Sequence, residues 1–247
     1  MKTVLEVNSL EKRYKDRVVL DGLNLKVEEG DIYGFLGPNG AGKTTAIRAI
    51  LGLIHFQKGN VILNGYDIKK DFRNAIRAVG AMVETPQFLD QYSGLWNLRM
   101  MAKFYDGITE KRIDEALEII GMKTRAKDRV RTYSMGMKQR LGIAGALLHR
   151  PSLVILDEPT NGLDPQGIKE IREIIMQLSI EQNMTFFISS HILSEVESFC
   201  NKVGIIKDGR IIKELTSEKI PVKYAIPQNR SLEEYFLELT KGGKQVE

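Results

Sequence analysis

The segment from Gly37 to Thr45 has the residue types and the spacing that point most directly to chemistry. It fits the pattern G-x-x-x-x-G-K-[ST], in which glycines let successive backbone N–H groups point into a concavity that holds phosphates. We expect Lys43 to reach the β- and γ-phosphates of a nucleotide and the Thr44 hydroxyl to ligate Mg²⁺. The predicted phosphate contacts are Gly37, Pro38, Asn39, Gly40, Ala41, Gly42, Lys43, Thr44 and Thr45.

Two acidic residues, Asp157 and Glu158, follow the apolar run Leu153–Leu156 and form a second candidate group. A carboxylate at the end of a buried strand is costly unless a cation or a proton transfer compensates its charge. With a phosphate-binding loop upstream, Asp157 is predicted to hold Mg²⁺ and Glu158 to polarise the water that attacks the γ-phosphorus. The alternative is a solvated acidic turn before Pro159.

His191 follows the apolar run Phe186–Ile188 and two serines, so it is predicted to stand at the carboxyl end of a sheet strand. Open α/β sheets bind ligands at this edge, where His191 would contact the γ-phosphate and the attacking water. A histidine with a structural role is the alternative. His55 and His149 have no comparable setting, and no function is assigned to them.

A parallel α/β sheet would bring these residues together, and the chain has the corresponding pattern. The β-prone run Ile32–Leu36 precedes the phosphate-binding loop and the helix-forming run Ala46–Leu51 follows it, which is the order that the motif requires. The plainer interpretation is a glycine-rich turn before a helix, but such a turn does not require the lysine or the hydroxyl. Further strands are predicted at Val4–Val7, Val18–Leu20, Leu23–Val27, Val61–Leu63, Val79–Val83, Leu153–Leu156 and Thr185–Ile188.

Helical periodicity dominates from Asp90 to Arg150 and returns at Ile168–Leu178. One helix in the first segment should end at Gly121, and its apolar face consists of Ile113, Ala116, Leu117 and Ile120. Near the end of the chain, Asp208-Gly209 between two β-prone runs predicts a hairpin. A last short helix is predicted from Ser231, with an apolar face made of Leu232, Tyr235, Phe236 and Leu239.

The composition excludes several classes of protein. With 247 residues, 43% of them apolar and 28% charged, the chain is an ordinary globular protein rather than a disordered or fibrous one. The formal charge of +4 suits an anionic nucleotide, but no basic segment with interleaved aromatics predicts nucleic-acid binding. The apolar run Leu141–Leu148 is too short to cross a bilayer, and a soluble chain is expected. The single cysteine, Cys200, fits a reducing cytosol and a packing role.

The segment Tyr133–Arg140, which lies between the phosphate-binding loop and the Asp-Glu strand, resembles the signature motif of the ATP-binding cassette (ABC) family. With it the family's order of motifs is complete. Gly37–Thr45 resembles the Walker A motif, and Ser134–Gln139 resembles the signature motif. Asp157-Glu158 resembles the Walker B motif with the catalytic base. Asn161–Asp164 resembles the D-loop, and His191 resembles the switch histidine. Ordered motifs over nearly the whole chain are far more specific than any one of them.

The resemblance implies an α/β fold, with a P-loop NTPase (RecA-like) core, an antiparallel β subdomain and an inserted α-helical subdomain. Residues 1–84 and 151–220 would form the core with the β subdomain, residues 85–150 the helical subdomain and residues 221–247 a tail. Tyr14 would stack on adenine. Ser134 and Gly136 would contact ATP that is held by a second copy of the chain, and Asp164 of the D-loop is a further expected nucleotide contact.

The chain departs from the family pattern in two places. Tyr133, Met135 and Met137 replace usual residues of the signature, although Ser134 and Gly136 remain. Glu84, after the strand Val79–Val83, stands where most cassettes have a glutamine that contacts Mg²⁺. A carboxylate can ligate the metal but no longer donates a hydrogen bond. A surface acid is the alternative.

The resemblance therefore implies an ATPase subunit with ATP and Mg²⁺, acting as a homodimer on the cytoplasmic face of the cell membrane and powering separate transmembrane permease subunits. No nucleic-acid partner is expected. Glutamate at position 84 resembles the ATPases of lantibiotic self-protection and bacitracin resistance, which implies export of a peptide antibiotic or another amphiphile. The alternatives are a non-transport ABC ATPase that acts on ribosomes or DNA, and a regulatory module that binds nucleotide without hydrolysing it.

Overall fold

Two sheets form the frame of the computed structural model, which describes residues 2–216. The first is antiparallel and contains β1 (Thr3–Tyr14), β2 (Arg17–Glu28), β4 (Lys58–Leu63) and β5 (Tyr66–Asp67), in the order β2-β1-β4-β5. The runs Val18–Leu20 and Leu23–Val27, which we expected as separate strands, belong to the single strand β2. Gly22 lies between them with a φ of 69°, and the pairing with β1 shifts register there, so a bulge keeps the strand continuous.

The second sheet brings the candidate residues to one edge. It contains β3 (Ile32–Leu36), β6 (Val79–Met82), β7 (Leu153–Asp157), β8 (Thr185–Ser190), β9 (Lys202–Lys207) and β10 (Arg210–Thr216), in the order β10-β9-β3-β8-β7-β6. All neighbouring pairs are parallel except β9 with β10, which form the predicted hairpin at Asp208-Gly209. Leu36 pairs with Ser190 and Asp157 with Ser189, so β3, β7 and β8 end side by side.

Continuous apolar runs occur in this sheet because both of its faces are buried. In β7, Val154 and Leu156 belong to a core that includes the helices of the middle segment, whereas Leu153 and Ile155 belong to a core shared with the antiparallel sheet. Side chains alternate between the faces of a strand, so one strand contributes to both cores. Cys200 is fully buried in the first core, where burial raises the pKa of its thiol.

Seven α-helices surround the sheets within residues 2–216, together with two short 3-10 helices at Lys123–Arg125 and Val130–Thr132. Serine, threonine or aspartate side chains cap the N-termini of several of them, as Ser134 does by accepting a hydrogen bond from the backbone N–H of Met137. The helices are α1 (Lys43–Ile50), α2 (Phe72–Ile76), α3 (Gly94–Ala102), α4 (Glu110–Ile119), α5 (Met135–Leu147), α6 (Pro165–Gln182) and α7 (Leu193–Phe199).

The helices α3, α4 and α5 lie between β6 and β7 in the sequence, within the segment that we expected to be helical. The α/β fold class is therefore confirmed. The predicted helix from Ser231 and the tail 221–247 lie outside the described residues. Across residues 2–216, no helix combines the length and the apolarity that crossing a bilayer requires.

Gly80 of β6 makes the closest contact between the sheet and α5. A Cβ atom there would overlap the carbonyl oxygen of Ala146 and come within 3.0 Å of the Pro151 ring, and backbone cannot give way cheaply. We expect Gly80→Ala to lower the free energy of unfolding by about 1–3 kcal/mol, measured by urea unfolding. Ala81→Val, at the neighbouring exposed position, is the matched control and should change it by no more than about 0.5 kcal/mol. Equal stability of both variants would contradict the close contact.

Candidate active site

The loop between β3 and α1 has backbone conformations that only glycine adopts without strain. Gly40 and Gly42 have φ angles of 82° and 107°. A Cβ atom on Gly42 would lie 3.0 Å from the carbonyl oxygen of Val19, and one on Gly37 would lie 2.5 Å from that of Ile206. The loop therefore packs closely against β2 and β9 while its glycines leave the concave side open.

This loop borders a cavity of about 440 Å³. Residues of the loop and of α1 line it, together with residues of β2 and of the segments that follow β7 and β8. Lys43, Thr44, Thr45, Glu158 and His191 all line it, as the sequence predicted for a phosphate site. The remaining lining residues are Arg17, Val19, Asn39, Gly40, Gly42 and Asn161.

Lys43 is buried, with 6% of its surface exposed, and its ammonium group is fully engaged. It donates hydrogen bonds to the carbonyl oxygens of Gly37 at 2.7 Å and Pro38 at 3.3 Å, and its Nζ lies 3.1 Å from Glu158 Oε1. The loop carbonyls hold the lysine stem in place. Because Lys43 also lines the cavity, its charge is available to an anion that displaces these partners.

Glu158 joins this lysine to His191. Its Oε2 lies 2.6 Å from His191 Nδ1, and in the tautomer that carries hydrogen on Nδ1 the ring donates a hydrogen bond to this oxygen. The backbone of Glu158 is left-handed, with a φ of 50°, and its N–H donates to Ser189 Oγ at 2.9 Å. A non-glycine residue stays in this region only when its surroundings fix it, and such strain is concentrated at functional sites.

Asp157 lies deeper, with 2% of its surface exposed. Ser189 Oγ donates to its Oδ1 at 2.6 Å. Burial raises the pKa of this carboxyl group, with Ser189 and Thr44 opposing the shift. Within the described residues, no group of three or more His, Cys, Asp or Glu side chains forms a metal cage. A buried carboxylate beside a hydroxyl fits Mg²⁺, which binds through one or two protein oxygens and fills its shell with waters and phosphates.

Tyr14 lies at the rim of the same region rather than among the lining residues of the cavity. It pairs in the antiparallel sheet with Arg17, which does line the cavity. The Lys12 ammonium group lies 4.5 Å from the centre of the Tyr14 ring. About half of Tyr14 is exposed, so stacking on adenine is sterically open and stays a prediction.

Ser134, Gly136 and Asp164 lie together, but in a different groove. This second groove, of about 440 Å³, is lined by the start of α5 and the start of α6. Ser134 is exposed at the N-terminus of α5, and Asp164 caps α6 by accepting a hydrogen bond from the Gly167 N–H at 2.8 Å. The structure therefore groups the predicted site residues into two sets on one chain and does not bring the two sets together.

Glu84 belongs to neither set. It lines a third groove, of about 740 Å³, between β6 and the helices. Its side chain is 61% exposed, forms an ion pair with Arg48 of α1, and its backbone has a φ of 62°. The Glu84 carboxylate is thus paired with an arginine outside the phosphate cavity, and metal contact by Glu84 stays a prediction.

Arg17, Val19 and Asn161 line the cavity but were not named as nucleotide contacts, although Asn161 begins the segment that resembles the D-loop. Asn161 could have been predicted from the sequence, because it follows the Asp-Glu pair. Arg17 and Val19 could not have been predicted, because they approach the loop only through the folding of the antiparallel sheet over it. A hairpin with a charged residue upstream of a phosphate-binding loop is the one signal that points to them.

Comparisons with known proteins agree with this geometry. A family model described as ABC transporter matches residues 20–161. Over 237 residues the chain is 47% identical to the bacitracin transport ATP-binding protein BcrA of Bacillus licheniformis, covering 96% of this chain and 76% of that protein. It is also 41% identical over 211 residues to the lantibiotic transport ATP-binding protein SrtF of Streptococcus pyogenes, covering 85% and 90% respectively.

Solved structures show the same fold. A structure titled as the ATP binding subunit of an ABC transporter superposes with a TM-score of 0.81 at 30% identity, covering 96% of this chain and 99% of that chain. A dimeric bacterial ABC transporter cassette, MJ0796, superposes with a TM-score of 0.77 at 24% identity, covering 86% and 98%. These matches confirm the predicted P-loop NTPase fold.

The buried carboxylate of Asp157 should reduce the stability of the protein when no nucleotide is bound. Folding raises the pKa of Asp157, so the native state holds the proton more tightly than the unfolded chain. The free energy of unfolding therefore falls as the pH rises from the pKa of the unfolded chain to that of the native state, and this loss persists at pH 7. We expect Asp157→Asn to raise the thermal midpoint at pH 7 and to abolish the further rise that ATP with Mg²⁺ gives the unchanged protein.

The matched control is Asp114→Asn, the same chemical change at an exposed position of α4. It should leave the midpoint and the response to ATP with Mg²⁺ unchanged. A lower midpoint in Asp157→Asn would mean that the favourable influence of Ser189 and Thr44 on the ionised carboxylate outweighs the penalty of burial.

Proposed function

This chain belongs to the ABC transporter family, and from that premise we propose how its residues carry out the work of the ATP-hydrolysing subunit. It is an ATP-binding subunit, and cassettes of this family hydrolyse ATP to power transport. The observation that carries the proposal is the chain of contacts from Lys43 through Glu158 to His191 at the mouth of the phosphate cavity. It joins a phosphate-binding cation, a carboxylate base and an orienting histidine.

Glu158 is proposed as the base that polarises the attacking water. Its carboxylate stands between Lys43 at 3.1 Å and His191 at 2.6 Å, so one oxygen faces the phosphate side and the other is held by the ring. When Lys43 turns to the β- and γ-phosphates, Oε1 becomes free to accept a proton from water. His191 fixes the direction of the carboxylate and brings its own ring to the γ-phosphate side of the cavity.

Asp157 and Thr44 are proposed to hold Mg²⁺, which neutralises charge on the phosphate oxygens when bound. The support is the burial of Asp157, the influence of Thr44 on the pKa of its carboxyl group and the position of Thr44 in the phosphate cavity. Both groups lie at the carboxyl edge of the sheet, beside the phosphate-binding loop. Arg17 and Tyr14 are proposed to face the ribose and the adenine, because they lie where β1 and β2 meet, at the open end of the cavity.

Hydrolysis is proposed to need two copies of the chain. Ser134, Gly136 and Asp164 lie in a groove of their own, separate from the cavity that contains Lys43 and Glu158. If two copies pair head to tail, the signature groove of each faces the phosphate cavity of the other. The contact is then the same on both copies, as two-fold symmetry requires. The exposed N-terminus of α5 would direct Ser134 and the helix dipole at the γ-phosphate.

The groove at Glu84 is proposed to receive the membrane subunits, which would be separate polypeptides with this chain on the cytoplasmic face of the membrane. It is the largest of the three grooves described here, and it lies between β6 of the core and Met101 and Gly142 of the helical segment. A partner seated there would contact both parts at once. It would therefore sense any change in their relative position when ATP binds.

Export of a peptide antibiotic or a similar amphiphile is the proposed task. The support is that relatives 41–47% identical to this chain are named for transport of bacitracin and lantibiotics. Another relative, 38% identical, is named for linearmycin resistance. Action on ribosomes or DNA has no comparable support among these relatives. The contact between Glu158 and His191 opposes a regulatory module without turnover.

Glu158→Gln tests the proposed base. The amide retains the shape of the side chain but cannot take a proton, so we expect unchanged ATP affinity and a fall in kcat of at least about 10²-fold. An ATP-bound dimer should accumulate and be visible by size-exclusion chromatography. Glu173→Gln, the same change on the exposed side of α6, is the control and should hydrolyse ATP normally. Near-normal turnover in Glu158→Gln would show that Glu158 is not the base that polarises the attacking water.

Glu84→Gln tests the proposed metal contact. If the carboxylate leaves Arg48 and joins the metal when ATP binds, the variant should need a severalfold higher Mg²⁺ concentration for half-maximal hydrolysis. Glu110→Gln is the control, because Glu110 is also an exposed acid paired with an arginine, Arg99, but lies away from the groove. Identical Mg²⁺ profiles for both variants would make Glu84 an ordinary surface acid.

A further inference from the structure

Glu195 is a buried carboxylate that lies behind the active site rather than in it. It belongs to the first turn of α7 and is 8% exposed. Thr160 Oγ1 donates a hydrogen bond to its Oε2 at 2.6 Å, and Ser190 Oγ donates to the same oxygen at 3.2 Å. The other oxygen, Oε1, is buried without a hydrogen-bond partner among residues 2–216. One carboxylate oxygen thus connects two separate segments of the chain.

These two segments are the ones that carry the proposed catalytic groups. Thr160 follows Glu158 by two residues and directly precedes Asn161, which lines the cavity. Ser190 directly precedes His191, and its carbonyl oxygen accepts a hydrogen bond from the Gly37 N–H at 3.2 Å. The distance between Glu158 and His191 is therefore set partly by how these segments are held together behind them.

The segment after β7 needs such support. Glu158 has a left-handed backbone, which costs free energy for a residue with a side chain and persists only where neighbouring contacts impose it. The hydrogen bond from the Thr160 hydroxyl to the Glu195 carboxyl group is short, at 2.6 Å, at the lower end of the range for O–H···O bonds. Burying a polar carboxyl group only to pack α7 would be unfavourable, because an apolar side chain would serve better.

We propose that Glu195 is a positioning residue for ATP hydrolysis, because it holds the Glu158 and His191 segments in the mutual geometry that activates water. The inference rests on the roles proposed above for Glu158 and His191. Glu195 itself contacts neither ATP nor the attacking water. Its loss should lower kcat through misplacement of the catalytic pair, while ATP binding by the phosphate-binding loop continues.

The test uses the full chain and steady-state ATP hydrolysis, with KM and kcat measured separately. Glu195→Ala is expected to lower kcat by about tenfold or more and to change the KM for ATP by less than about twofold. Glu195→Gln should restore most of kcat, because its amide oxygen still accepts from both hydroxyls. Thr160→Val should reproduce much of the loss, and combining it with Glu195→Ala should add little, since Glu195→Ala already removes the contact with Thr160 together with that of Ser190.

Ser198→Ala is the matched control on α7, since within residues 2–216 the Ser198 side chain donates to the backbone carbonyl of Glu195, at 2.7 Å, and to no catalytic segment. It should leave kcat unchanged. The proposal is overturned if Glu195→Ala lowers the thermal midpoint but hydrolyses ATP normally well below that midpoint. Should Glu195→Ala not fold, normal kcat in Thr160→Val overturns it instead.

Glu158→Gln, measured alongside, separates the two levels of inference. If Glu158→Gln is active, the proposed base is wrong. If it is inactive while Glu195→Ala and Thr160→Val turn over normally, only the positioning role of Glu195 is wrong.

Discussion

The register that pairs Leu36 with Ser190 and Asp157 with Ser189 is the constraint on which the rest of the site depends. Three parallel strands end at the same level, so the loops that follow them emerge at one edge of the sheet, as ligand sites in open α/β sheets require. A slip of one residue would turn each side chain to the opposite face. Asp157 would then lose Ser189 and Thr44, and the phosphate-binding loop would no longer face the carboxylates. Because both faces of the sheet are packed, such a slip is strongly opposed.

On this frame the molecule concentrates features that do not favour stability. Asp157 is a desolvated acid, Lys43 is a buried cation, and Glu158 has a left-handed backbone. Each is tolerated because a neighbour compensates it: hydroxyls at Asp157, loop carbonyls and Glu158 at Lys43, and Ser189 at the Glu158 N–H. Several of these compensating groups would exchange partners when phosphate and metal arrive. The contacts that stabilise the site are thus the ones that ligand binding would redirect.

Sequence reasoning found the parts of the site that depend on local pattern. The strand, loop and helix around Lys43 follow from short-range spacing, and the placement of Asp157 and His191 follows from strands that end in polar residues. It did not find Arg17 or Val19, because their place in the cavity, and the contact of Val19 with Gly42, depend on how a separate sheet folds over the loop. It also gave no reason to expect the pairing of Glu84 with Arg48, since that pair joins a strand end to a helix far away in the sequence. Local periodicity contains no information on either contact.

The order of motifs along the chain also cannot show which of them meet. Ser134 and Asp164 lie in one groove and Lys43 in another, although all belong to one set of family motifs. If the two grooves are halves of one site, as proposed, a monomer would bind ATP with one half without completing the arrangement for hydrolysis. In the proposed head-to-tail pair, the nucleotide joins the two copies, and turnover becomes conditional on their closure. The separation of the grooves would then tie hydrolysis to a change of shape, which is what a transporter must transmit to its membrane subunits.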